Sequence, residues 1–245
     1  MIYWLSWTGM RKTKDISGFA IGNKDMSPYL VGITLAASIA STATFVINPG
    51  FVYVHGLSAY LHYGVAGSLG ILTAFLVLSR GFLRLGEEKQ AVTIPQWIYH
   101  RYQHRGFSLF FALLNLLSVS FVVLILVGCS MLMTGIFPID QKTALIVVLV
   151  FVFSYVLMGG TYAHAYTNTL QGIMMMLVTV LLFAQGYQYF EGGFLNSLRS
   201  ISENYGAPFN TQSELYYDFF SVFGSGFIIT FALMLQPHIL TKVLY

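Results

Sequence analysis

The chain has 245 residues, of which 56% are hydrophobic and only 9% charged, with a mean hydropathy of +0.71 and a formal net charge of +3. Soluble domains carry about 25% charged residues, so this composition excludes an ordinary soluble fold and points to a bilayer as solvent. The basic residues flank apolar stretches, which argues against nucleic-acid binding, and the single cysteine, Cys129, excludes an intrachain disulfide.

Crossing a hydrocarbon core of about 30 Å takes about 20 apolar helical residues. Met1 to Met10 is too short to cross, lacks the basic start and cleavage site of a signal peptide, and reads as the stump of a helix. Six candidate spans follow: Pro28 to Val46, Tyr60 to Ser79, Phe107 to Phe137, Thr143 to Met158, Leu170 to Phe190 and Phe219 to Leu235. The chain is therefore expected to be an all-α integral membrane protein, a single helical unit over residues 1–245, with no soluble domain or linker dividing it. Gly64, Gly67 and Gly70 form a small-residue packing face on the second span.

The loops set the orientation. Arg11, Lys12, Lys14 and Lys24 precede the first span, Arg80, Arg84, Lys89, Arg101 and Arg105 separate the second from the third, and Lys242 follows the sixth. Alternating spans place these ten of the twelve basic residues on one side, leaving Lys142 and Arg199 opposite. By the positive-inside rule, loops 11–27 and 80–105 are cytoplasmic and loop 188–218 is external, in a multi-pass protein of the plasma or inner membrane. Within the second loop, Thr93-Ile94-Pro95-Gln96 has the form of a helix start. His100 and His104 have a spacing that can ligate a metal, but no third ligand lies near and a solvated face is the simpler reading.

The first span is the most informative. Thr34, Ser38, Ser41, Thr42 and Thr44 stand among alanines, and Asn48-Pro49-Gly50 follows. Proline and glycine weaken a helix and free backbone carbonyls. Counting 1.5 Å per residue from Leu30 places Ala40 to Thr42 about 15 to 18 Å deep, near mid-membrane. No Asp, Glu, Lys or Arg occurs between Asp25 and Arg80, between Arg105 and Asp140, or between Lys142 and Glu191, so a carboxylate proton relay has no place in these spans. Neutral carbonyl and hydroxyl oxygens suit a dehydrated monovalent cation such as sodium. Two readings stay open for this cluster: a helix-packing surface, or an ion and substrate site of the kind built on discontinuous helices. Ser41 belongs to that cluster, and Gly224-Ser225-Gly226 in the sixth span marks either close approach to a ligand or packing.

The string from Leu35 to Phe45, closing at Asn48-Pro49-Gly50, resembles the first core helix of the sodium:solute symporter family. Asp15 to Pro28 is similar to its entry loop, Gly159-Gly160 to Thr167 with Gln171-Gly172 to its fourth-to-fifth helix junction, and Gln236-Pro237-His238-Ile239 to its sixth core helix. The resemblance implies the first half of a LeuT-like inverted-repeat fold, with helices one and six discontinuous and the C-terminal half absent. It implies a sodium ion on the backbone carbonyls of Ala37 and Ala40, the remaining ligands coming from an eighth helix, and substrate contact at Thr44. Where family members commonly carry Asp, this sequence has Asn168, which also suits a helix cap. Where sugar-transporting relatives have paired aromatics it has Ala232 and Leu233, which disfavours a sugar.

The expected function is sodium-coupled symport of a small organic solute, an amino acid such as proline or a small carboxylate. The alternatives are a transmembrane sensor module of a signalling protein and a truncated, non-transporting remnant. No nucleophile elbow, metal triad or phosphate-cradling glycine loop is present, so an enzyme is not expected.

Overall fold

The computed structural model describes residues 1–14, 18–19, 26–40, 43–89, 93–190, 192–240 and 242. Among them every regular element is a helix, and three helices are long and apolar enough to cross a membrane: Leu57–Arg84, Arg105–Ile136 and Gln141–Phe190. Two more apolar helices, Pro28–Ile39 and Phe220–Leu233, are shorter. The chain folds as two compact units: 1–42, 81–174 and 236–245 form the first, and 43–80 and 175–235 the second.

In the first unit, α1 (Ile2–Lys12) is the helix expected of the N-terminal stump. α2 (Pro28–Ile39) opens with Pro28 in its first turn and the Ser27 hydroxyl accepting from the Leu30 amide. It stops at Ala40, whose ψ of 83° leaves the helical region. α6 (Ile94–Tyr102) begins where the Thr93-Ile94-Pro95-Gln96 signal puts it, with the Thr93 hydroxyl accepting from the Gln96 amide at 3.3 Å. Replacing Thr93 by alanine removes that acceptor and is expected to cost about 1 kcal/mol locally, seen as faster amide hydrogen exchange over the first turn of α6. α7 (Arg105–Leu117) and α8 (Val119–Ile136) then run as one apolar rod, with Leu113, Leu117, Val122 and Leu124 exposed as lipid-facing side chains must be.

The fourth and fifth expected spans meet at a kink. Thr143 to Met158 lies in the first of two helices that join across a kink at Gly160 to make α9 (Gln141–Gly186), and Leu170 to Phe190 covers the second and the turn that follows it. Gly160 has φ of 53° and ψ of −133°, a conformation essentially reserved for glycine. The kink is where α1 docks. A β-carbon at Gly159 would lie 2.7 Å from the Met10 amide nitrogen, and one at Gly9 would lie 2.6 Å from the Ala163 nitrogen, so glycines on both helices permit backbone-to-backbone contact. The Thr13 hydroxyl donates to the Gly159 carbonyl at 3.1 Å and the Thr161 hydroxyl to the Phe19 carbonyl at 2.9 Å.

The second unit contains three π-turns, Ala43–Ile47, Leu61–Ala66 and Phe220–Gly224. The first leads without a break into α3 (Asn48–His55), Ile47 between them being itself α-helical in φ and ψ, so Pro49 stands inside a helical run that begins at Ala43. The short α4 (Leu57–Tyr60) and the second π-turn lead into α5 (Gly67–Lys89), and the third π-turn leads into α11 (Ser225–Leu233). Gly67 and Gly70 of α5 face Thr230 of α11, as a packing face should. His62 ties the second and third π-turns, its Nδ1 standing 3.1 Å from the carbonyls of both Ser221 and Val222. The stretch expected as a long outer loop holds a 3₁₀ turn (Tyr187–Phe190) and α10 (Phe194–Ile201), and its later residues cap α3: the Tyr205 hydroxyl donates to the Tyr53 carbonyl and the Asn210 amide to that of His55.

Candidate ion and solute site

α2 ends deep in an apolar segment, and among the described residues its last bond runs from the Ala40 amide to the Ala36 carbonyl at 3.0 Å. The carbonyls of Ala37 and Ala40 therefore belong to the terminal turn, where the i to i−4 ladder runs out. Ala37 is buried, and its methyl faces Gly172 of α9, where a β-carbon would lie only 3.1 Å away. Carbonyl dipoles and hydroxyls are hard neutral donors that fit sodium better than a transition metal. Among the described residues no group of His, Cys, Asp or Glu could hold a metal ion.

Beside this terminal turn the first unit buries a polar cluster. Thr34 and Ser38 share one face of α2 by their four-residue spacing, as do His164 and Asn168 on α9. The Thr34 hydroxyl donates to the Ala165 carbonyl at 3.0 Å. The Ser38 hydroxyl donates to the Thr34 carbonyl at 2.8 Å and accepts from the Asn168 amide at 2.8 Å. Lys242, which follows α12 (Pro237–Leu240), places its ammonium on Ser38 Oγ and 3.2 Å from His164 Nε2. The tautomer of His164 sets which way the hydrogen bond between Nε2 and the Lys242 nitrogen runs.

Several expected residues fall elsewhere. Asn168 is no helix cap, because it stands inside α9 and uses its amide to bridge to α2. His100 and His104 do not share a helix face: Gln103 is left-handed with φ of 52°, α6 ends there, and His104 caps α7 through Nδ1 on the Phe107 amide. Ser41 lies outside the described residues, as does the His238 side chain. Thr44 is exposed on the first π-turn of the second unit and lines a cavity of about 480 Å³ with Asn48, Tyr60, Tyr63, Gly64 and Ser68. Gly224 and Ser225 stand at the end of the third π-turn and outside that cavity's lining, and the Ser225 hydroxyl is engaged by the Ser221 carbonyl at 2.5 Å. A larger cavity of about 850 Å³ in the same unit is mainly apolar, with Val52, Leu57, Leu182, Phe183, Phe190 and Phe194 in its wall.

His164 and Lys242 went unnoticed in the sequence. Attention to Asp, Glu, Lys and Arg inside the spans passed over the histidine, and Lys242 read as a loop residue because it follows the sixth span. The available signal was the pairing of polar residues four apart in two apolar helices.

The chain is similar in sequence to known symporters. The chain is 26% identical over 240 residues to the sodium/pantothenate symporter of Haemophilus influenzae, covering 94% of the chain and 48% of the relative. It is 25% identical over 189 residues to an osmoregulated proline transporter of Bacillus subtilis, covering 73% of the chain and 37% of that protein. It is 26% identical over 185 residues to a sodium/proline symporter of Staphylococcus aureus, covering 73% and 35%. The chain thus spans about half the length, or less, of the curated relatives it matches, and no solved structure matches it. The sodium:solute symporter family, whose members are transporters and not enzymes, matches residues 19–245, and the chain belongs to that family.

Proposed function

We propose that this chain is the N-terminal portion of a secondary transporter that couples sodium entry to uptake of a small organic solute across the cell membrane. The observation that carries the reading is the end of α2 at Ala40, which leaves carbonyls in a neutral, hydroxyl-rich turn of an apolar segment. Sodium binds the Ala37 and Ala40 carbonyls, and helices of the relatives' second half, which the chain does not span, complete the coordination. The fold is the first half of a LeuT-like inverted repeat, with α2 and the segment 220–240 as its two discontinuous helices. Loops 11–27 and 80–105 face the cytoplasm and loop 188–218 the outside.

The solute contacts Thr44, Ser41, Gly224 and Ser225. Relatives named for pantothenate and for proline support a small carboxylate, including an amino acid such as proline, as cargo. A sensor module finds no support in these relatives, all of which are named as transporters or symporters.

The test is uptake of labelled proline and pantothenate by proteoliposomes containing the full-length protein. Sodium is expected to stimulate uptake of one of them, and Ala37→Leu to reduce the sodium-driven component at least tenfold, because the larger side chain meets Gly172 and shifts the terminal turn. Uptake indifferent to sodium would sink the proposal.

A further inference from the structure

Lys242 is 2% exposed, among the most completely buried side chains of the protein. Among the described residues no carboxylate pairs with it, and its partners are the Ser38 hydroxyl and the His164 ring. An isolated ammonium taken out of water is strongly disfavoured unless charge or hydrogen bonds compensate it. Among the described residues only hydrogen bonds do. Asn168, which shares Ser38 with the lysine, is an amide whose NH₂ group is itself a donor to that hydroxyl.

The location matters as much as the burial. Ser38 lies in the last turn of α2, one residue from Ala37 and two from Ala40. A cation held by the carbonyls of that turn and an ammonium on Ser38 would be two like charges on the last turn of one helix, with little solvent to screen them. Each therefore opposes the other. Lysine suits a displaceable role because its charge is a compact ammonium on a flexible stem, which can swing away without unfolding the helix it docks on.

We infer that the Lys242 ammonium is a tethered stand-in for the coupling cation: it occupies the polar cluster at the end of α2 when sodium is absent and leaves when sodium binds. The inference rests on the sodium reading of Ala37 and Ala40 and adds a built-in competitor to it. It makes Lys242 a positioning residue that sets sodium affinity and keeps the sodium-free cluster ordered. Ser38 and His164 are the partners that hold it.

Equilibrium binding of radioactive sodium to the full-length protein in lipid nanodiscs, with no solute present, tests this. Lys242→Met removes the charge at similar volume and is expected to tighten sodium binding at least tenfold, while Lys242→Arg, which keeps the charge, stays within threefold of the native protein. A folded Lys242→Met variant with native sodium affinity would overturn the inference and leave the sodium reading standing. No sodium binding in either protein would overturn the sodium reading itself. Should Lys242→Met fail to fold, the native protein gives the answer. Reductive methylation of Lys242, followed by mass spectrometry, is expected to run at least threefold faster in sodium than in choline. Equal rates overturn the inference.

Discussion

Gly160→Ala is expected to be among the most damaging single substitutions in the first unit. Two effects add. An alanine forced to φ of 53° and ψ of −133° carries backbone strain of about 1 to 3 kcal/mol. Its methyl would also lie 2.6 Å from both the carbonyl oxygen and a ring carbon of Phe19, and overpacking of this kind costs about 1 to 3 kcal/mol more. The sum, roughly 2 to 6 kcal/mol, is a large part of the stability of an ordinary domain, about 5 to 15 kcal/mol. A thermal melt of the purified protein in detergent, followed by size-exclusion chromatography, is expected to fall by many degrees. A melt within one or two degrees of the native value would mean that the kink at Gly160 does not hold α1 and Phe19 in place.

Gly70→Ile should act on the second unit. A β-carbon at Gly70 would lie 2.5 Å from the Phe227 carbonyl oxygen and 3.1 Å from the Phe231 nitrogen, so the obstacle is helix backbone with no rotamer to yield. α5 and α11 must move apart, and the expected loss is about 3 kcal/mol or more. Gly135→Ala in α8 is the matched control: nothing lies within 4 Å of its β-position, and the change is expected to be neutral or to gain up to about 1 kcal/mol of helix propensity. The same melt should separate the two. Equal behaviour of Gly70→Ile and Gly135→Ala would remove the packing face from the account.

Much of the fold was legible from residue chemistry. Polar residues spaced among alanines in the first span mark the place where α2 stops, and Thr93 with Pro95 marks the start of α6. Both signals are local, so they survive without knowledge of the tertiary structure. Asn48-Pro49-Gly50 lies within the helical run that begins at Ala43, and the chain leaves helical geometry earlier, at Ala40, where no proline or glycine marks it. The junction between the fourth and fifth spans was recognisable from Gly159-Gly160, yet that it remains helical on both sides of one kink depends on α1 packing against it. The candidate site was half legible. Ala37, Ala40 and Thr44 came from motif resemblance, whereas the cluster of Thr34, Ser38, His164, Asn168 and Lys242 assembles residues more than 200 positions apart. No local pattern encodes such a meeting.

The three π-turns give the second unit a property the lengths of its helices conceal. A π-turn holds one residue more than α-geometry needs, and a one-residue slip in a helix rotates everything beyond it by about 100°. Between 61 and 66 the loss of one residue would simply restore an α-turn and leave Gly67 and Gly70 facing Thr230, whereas the same loss between 67 and 70 would turn part of that face away. The surplus residue can also migrate along the helix, re-aiming one side chain at a time while only a few hydrogen bonds are open at once. Thr44 lies on one such turn and Gly64, which lines the same cavity, on another. Which groups line that cavity is thereby set by where two spare residues are stored.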